Sequence, residues 1–142
     1  MKSKLLLSLA AMGLLWSQAG PNTAIIANLA DVKWTRDPGD APGSDGVMLR
    51  EDPKTGATEL LARYPPGHVF KPHWHNVNER IVLLEGRLSL HQGESERFLD
   101  AGGFAFLPAR EVQRMSCVSK TRCVFYAYWD GKLDFNPPPA PR

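Results

Sequence analysis

Between Val47 and Trp129 the chain alternates short apolar runs with turn signals, and this pattern constrains its fold more than any other feature. Turn signals such as Asp52-Pro53 and Glu85-Gly86 separate the runs. No window shows the 3.6-residue period of an amphipathic helix over a useful length. About eight to ten short strands at nearly even spacing are typical of a sandwich or a small barrel. The sequence therefore predicts an all-β domain.

The length of 142 residues fits one domain, and a hydrophobic fraction of 43% is too high for a disordered chain. We divide the chain into a signal peptide at 1–19, an irregular N-terminal segment at 20–45, a barrel at 46–135 and a Pro-rich tail at 136–142. The prolines of the tail predict an extended end that does not join a sheet.

The first residues have the pattern of an export signal. Lys2 and Lys4 precede the apolar run 5–16, and Ser17-Gln18-Ala19 offers small residues for cleavage before Gly20. A buried helix or an uncleaved anchor is the alternative. We expect a periplasmic or secreted product that is free of the membrane after cleavage. The two lysines account for the net charge of +2, so the balanced remainder lacks the basic surface of a nucleic-acid binder.

The chain has two cysteines, Cys117 and Cys123, which flank a polar stretch between two strand-like runs. If those runs form a hairpin centred on Lys120, the cysteines lie opposite one another. A disulfide is then possible in an oxidising compartment. Two reduced, buried thiols on facing strands are the alternative.

Two histidines and a glutamate form the pattern that carries chemistry. His73 and His75 are two residues apart on a predicted strand, so both side chains leave the same face. Glu79 follows after Asn76-Val77-Asn78, which can turn the chain so that its carboxylate faces the same space. Two imidazoles and a carboxylate suit a divalent metal. A hydrogen-bonded polar cluster is the alternative, and it would need partners for the buried carboxylate.

The spacing of these residues resembles the first motif of the cupin superfamily, and a later stretch resembles its second motif. The first motif is matched by Gly67, His73, His75, Glu79 and Gly86, and the second by Gly103 and Pro108. The local sequence around them is also similar to that of small exported bacterial cupins. The resemblance implies a double-stranded β-helix, the jelly-roll barrel, with the site inside its mouth.

Two positions depart from the second motif. Gln113 stands where the family usually has a third histidine ligand, and Arg110 where it usually has a turn glycine. Gln113 could coordinate weakly through its oxygen, hold a metal-bound water, or mark the loss of the metal. Without it, His73, His75 and Glu79 resemble the facial triad of non-haem iron enzymes. Arg110 is a candidate clamp for a substrate carboxylate, with a plain surface arginine as the alternative.

These residues predict an exported metal-binding cupin. One hypothesis is a metal-dependent enzyme that acts on a small polar substrate by Lewis-acid or oxygen chemistry. Iron, manganese and zinc fit the ligand set best, while nickel and copper are also compatible. The other hypothesis is a non-catalytic sensor or binding module for a small ligand or a metal, or a cupin without metal. Outward aromatic residues near Tyr126 and Tyr128 suggest a homodimer.

Overall fold

The computed structural model describes residues 23–36 and 40–140. It contains one short 3-10 helix and eight strands, so the predicted all-β class is confirmed. The helix is Leu29–Asp31, and the strands are β1 (Asp45–Glu51), β2 (Ala57–Tyr64), β3 (Glu79–Glu85), β4 (Arg87–Gln92), β5 (Ser95–Asp100), β6 (Phe104–Leu107), β7 (Gln113–Cys117) and β8 (Cys123–Lys132).

The predicted signal peptide, residues 1–19, lies outside the described residues, as do the last two residues of the Pro-rich tail. Within residues 23–36 and 40–140, no helix is long and apolar enough to cross a membrane.

The strands form two antiparallel sheets, ordered β1-β2-β8-β3-β6 and β5-β4-β7. Successive side chains of a strand point to opposite faces, and β3 shows the consequence. Ile81 and Leu83 are fully buried between the sheets, whereas Val82 and Leu84 are partly exposed outside. The inner faces of β4, β7 and β8 complete the core with Leu88, Leu90, Met115, Phe125, Ala127 and Trp129. This is the predicted jelly-roll barrel.

The connection between β2 and β3 extends the smaller sheet without being a regular strand. The N–H of Gly67 donates to the carbonyl of Cys117 at 2.9 Å, and that of Phe70 donates to Met115 at 2.9 Å. His73 and Gln113 exchange two backbone hydrogen bonds, of 3.1 and 2.8 Å. This pairing with β7 carries the segment 67–73 to the mouth of the barrel and fixes His73 opposite Gln113.

Cys117 and Cys123 form a disulfide. The expected hairpin is wrong, because β7 pairs with β4 whereas β8 pairs with β2 and β3. The bond therefore joins the two sheets at the end of the barrel away from Gln113. Gly86 packs closely here with φ of 85°, and a Cβ on it would lie 2.6 Å from the carbonyl oxygen of Arg122. The glycine is required by both its conformation and this close approach.

We expect loss of the disulfide to lower the free energy of unfolding by about 2 kcal/mol, because the closed loop is short and the cross-link restricts the unfolded chain. Urea unfolding of the Cys117→Ser, Cys123→Ser double variant measures the loss. Reductant should lower the stability of the wild type to that of the variant and leave the variant unchanged. A wild type whose stability is insensitive to reductant would contradict the prediction.

Candidate metal centre

His73 and His75 are held by their Nδ1 atoms. His73 Nδ1 lies 2.7 Å from the carbonyl oxygen of Lys71, and His75 Nδ1 contacts the carbonyl oxygen of Asp134. A carbonyl only accepts hydrogen bonds, so both Nδ1 atoms carry the proton. In the neutral rings the lone pairs are then on Nε2. Metal-binding histidines are oriented in this way in many proteins.

Glu79 and Gln113 begin β3 and β7, and their side chains meet between the sheets. Each is less than 5% exposed. The amide Nε2 of Gln113 donates to Glu79 Oε2 at 2.6 Å and lies 3.1 Å from His73 Nε2. The predicted residues His73, Glu79 and Gln113 are therefore brought into direct contact.

His75 completes this His–Glu–Gln cluster from the other side. Its Nε2 lies 3.3 Å from Glu79 Oε2, but the geometry leaves this buried nitrogen without a hydrogen-bond partner among the described residues. Burial alone lowers the pKa of His75; the Glu79 carboxylate and the carbonyl of Asp134 outweigh that effect and raise the pKa. A lone pair and a carboxylate that face each other favour a shared proton or a cation between them.

The fit to a metal depends on Gln113. Among residues 23–36 and 40–140, no group of three or more His, Cys, Asp or Glu side chains is arranged so that it could hold a metal ion. The Gln113 amide lies between His73 Nε2 and Glu79 Oε2, where a cation shared by these two groups would bind. The chemistry of the donors fits a divalent transition metal, provided that this amide turns away.

The C-terminal segment covers the cluster. The ring of Phe135 lies 5.3 Å from that of His73 and 5.1 Å from that of His75, centroid to centroid. Asn136 exchanges two backbone hydrogen bonds of 3.0 Å with Trp74. This pairing is an isolated bridge outside the two sheets, and it uses Asn136, the one tail position that precedes the prolines.

Asp134 holds that segment in place and was missed by the sequence analysis. Its carboxylate accepts hydrogen bonds from the backbone N–H of Asn76 at 3.0 Å, from the side-chain amide of Asn76, and from Asn136 Nδ2 at 2.9 Å. These bonds hold the backbone carbonyl of Asp134 against His75 Nδ1. Nothing in the local sequence links residues 76 and 134, and only the fold brings them together.

The side chain of Arg110 lines a different groove from the residues of the His–Glu–Gln cluster. It is exposed and lines a groove of about 320 Å³ with Trp74, Val112, Pro137 and Pro139. Its backbone N–H donates to the carbonyl of His75 at 2.8 Å, and its φ of 64° lies in the region that favours glycine. The loop thus keeps the shape that the family's glycine would give. A role for Arg110 in substrate binding stays a prediction.

Hydrogen bonds of Asn78, the residue before Glu79, position the start of β3. Asn78 donates two hydrogen bonds to the carboxylate of Asp130, from its backbone N at 3.1 Å and from its Nδ2 at 2.9 Å. Asn78 Oδ1 in turn accepts from the N–H of Ala109 at 3.0 Å. Partial burial raises the pKa of Asp130, but the bonds from Asn78 and the charge of Arg80 outweigh it, so the pKa is lowered below 3.8.

We expect Asp130→Asn to lower the free energy of unfolding at pH 7 by about 0.5–1 kcal/mol. The folded-state pKa of Asp130 is depressed, so its contribution is present above about pH 3.8 and is lost as the pH falls through the folded value. Urea unfolding between pH 7 and pH 2 should show the two proteins converging at the acid end. Glu94→Gln, an exposed control in the β4–β5 turn, should match the wild type throughout. A constant difference at all pH values would contradict the assignment.

Comparison with known proteins identifies the relatives of the chain. Residues 22–130 match the family described as the ChrR cupin-like domain. The DNA damage-repair/toleration protein DRT102 of Arabidopsis thaliana is 30% identical over 96 residues, which make up 66% of this chain and 29% of that protein. The chain therefore spans less than a third of this curated relative, so the activity of the whole relative does not transfer.

Solved structures share the fold at low identity. KdgF from Halomonas sp. superposes with a TM-score of 0.61 and 16% identity, over 76% of this chain and 94% of that one. A structure of the DMSP lyases RdDddP and RnDddQII superposes with a TM-score of 0.61 and 18% identity, over 76% of this chain and 63% of that one. The structure of Rhodobacter sphaeroides SigE in complex with the anti-sigma ChrR superposes with a TM-score of 0.59 and 20% identity, over 72% of this chain and 51% of that one. Such neighbours include enzymes and an anti-sigma factor. Because the family match covers most of this chain, the chain belongs to the ChrR cupin-like domain family of the cupin superfamily.

Proposed function

We propose that this cupin binds one divalent transition metal through His73, His75 and Glu79 and presents it to a small polar molecule. The observation that carries the proposal is the buried Nε2 of His75. It faces the Glu79 carboxylate at 3.3 Å and has no hydrogen-bond partner among the described residues. A buried acceptor left in this state is costly, and a bound cation would remove the cost.

The donor set limits the metal to a few candidates. Two neutral imidazoles and a carboxylate suit iron(II), manganese(II) or zinc(II), with nickel(II) and copper(II) also compatible. When bound with open coordination positions, such a metal supplies a Lewis acid or a redox centre. The protein's part is to orient the two imidazoles through the carbonyls of Lys71 and Asp134 and to pack the ring of Phe135 against them.

Gln113 sets the affinity of this proposed site. Its amide hydrogens must leave Glu79 and His73 before the metal can bind both. A rotation of the amide turns its oxygen inward, where it can act as a weak ligand or hold a water. We therefore expect weaker metal binding than an imidazole at position 113 would give.

Export is part of the proposal. The signal-like residues 1–19 predict it, and the disulfide between Cys117 and Cys123 supports it, because disulfides persist mainly in oxidising compartments. The periplasm or the exterior is therefore the proposed location.

A metal-free binding cupin is the second candidate, and a specific observation favours it. Gln113, Glu79 and His73 satisfy one another through hydrogen bonds without an ion, as a purely structural polar cluster would. In that case the barrel binds a small ligand without turnover.

Self-association remains a prediction. Tyr126 and Tyr128, which suggested it, are half-buried on β8, and the same face of the sheet carries more exposed aromatic rings. Phe104 is 79% exposed and Phe106 53% exposed on the edge strand β6, next to Val82 of β3. Exposed apolar patches of this kind often contact a partner, and a second copy is the partner that we predict.

We expect the protein, expressed with its signal intact and purified without chelator, to contain about one equivalent of a transition metal by elemental analysis. His73→Ala and Glu79→Gln should lose it, since each removes a ligand. Absence of metal before and after reconstitution would contradict the proposal and leave the metal-free candidate.

Two further variants sharpen this test. His91→Ala is the matched histidine control, because His91 lies on the outer face of the smaller sheet beside Glu96. It should retain the metal. Gln113→His should strengthen metal binding by about tenfold or more, measured by calorimetry, because an imidazole replaces an amide that competes for two ligands.

A further inference from the structure

A cavity of about 350 Å³ opens beside the His–Glu–Gln cluster, between β1, β2 and the C-terminal segment. We refer to it as the acidic cavity. Its lining includes Asp40, Asp45, Met48, Leu60, Tyr64 and Phe135. Phe135 also lines the groove that borders His73, so its ring separates the acidic cavity from the cluster. A molecule in the acidic cavity is therefore separated from the proposed metal by the Phe135 ring.

The charged groups of the acidic cavity give it a negative potential. Asp45 is neutralised by Arg63, whose Nε lies 2.7 Å from its carboxylate. Asp40 is exposed and has no ion-pair partner among the described residues, so its charge, partly screened by water, acts on the cavity. The hydroxyl of Tyr64 experiences this field. Burial, followed by the charges of Asp40 and Glu79, raises the pKa of Tyr64 to about 12. Among residues 23–36 and 40–140, no cationic side chain lines the cavity.

The remaining lining suits the body of an organic molecule rather than a hydrated ion. Phe135 and Tyr64 offer aromatic rings, and Met48, Leu60 and Leu133 offer apolar contacts. Aromatic faces attract cations, above all desolvated ones such as quaternary ammonium groups. An anion would be repelled by Asp40. A neutral apolar molecule would gain nothing from the charge of Asp40.

We propose that the acidic cavity binds a small organic cation of the ammonium class, with Asp40 as its counter-ion and the rings of Tyr64 and Phe135 against its apolar groups. The assignment of this cation as the substrate of the metal centre rests on the proposed function. The binding itself does not, because none of the predicted metal ligands lines the cavity.

Choline and its neutral isostere 3,3-dimethylbutan-1-ol test the proposal directly, because they differ in charge and hardly in shape. We expect choline to bind the chelator-treated full chain at least about fivefold more tightly than the isostere in calorimetry at low salt. Equal affinity of the two probes, or no binding of choline, would overturn the proposal.

Variants locate the binding. Asp40→Asn should abolish the preference for choline while leaving the isostere unaffected, and Phe135→Leu should weaken choline binding about threefold or more by removing a ring. Glu94→Gln changes the net charge equally at a distant, exposed position and should not alter binding. A preference for choline that survives Asp40→Asn would place the cation elsewhere and overturn the proposal.

The same experiment on His73→Ala separates this inference from the proposed function. Retention of choline binding in a variant that cannot hold metal supports the acidic cavity, whatever the metal analysis shows. Loss of choline binding in His73→Ala, with the fold intact by circular dichroism, would contradict the cavity as an independent site. Metal bound without any choline preference would overturn this inference and leave the metal site standing.

Discussion

The hydrogen bond from Gln113 to Glu79 joins the two sheets at the mouth of the barrel, and the site is arranged around it. Glu79 begins β3 of the larger sheet and Gln113 begins β7 of the smaller one. A buried carboxylate is costly unless it is paired, so this contact must either persist or be replaced by a cation or another hydrogen-bond donor. The same constraint explains the position of His75, whose ring faces that carboxylate at 3.3 Å.

The mouth of the barrel combines two environments on either side of Phe135. In the His–Glu–Gln cluster, His73 Nε2 lies beside the Gln113 amide and His75 Nε2 faces the Glu79 carboxylate, while the acidic cavity is open, aromatic and negatively charged. Both depend on the C-terminal segment, which Asp134 fixes to Asn76. A cation in the cavity and a metal in the cluster would repel each other, so by linkage each should weaken the binding of the other.

Much of the architecture could be predicted from sequence because the responsible signals are local. Alternation along β3 and the turn at Gly86 indicate strands, and the two-residue spacing of His73 and His75 places their rings together. The rest depends on contacts between distant residues. The covering of the cluster by Phe135 and the role of Asp134 arise from pairing about 60 residues apart in sequence. The expected hairpin failed for the same reason, since the partners of β7 and β8 are set by the whole barrel.

The central claim is that His73, His75 and Glu79 bind a metal when the Gln113 amide turns away. Anomalous diffraction from crystals grown with manganese or cobalt, recorded above and below the metal absorption edge, tests it most directly. The account predicts one strong peak within bonding distance of both Nε2 atoms and the Glu79 carboxylate, with Gln113 Nε2 displaced from its position beside Glu79. A map without that peak, in which the hydrogen bond from Gln113 to Glu79 is intact, would contradict it.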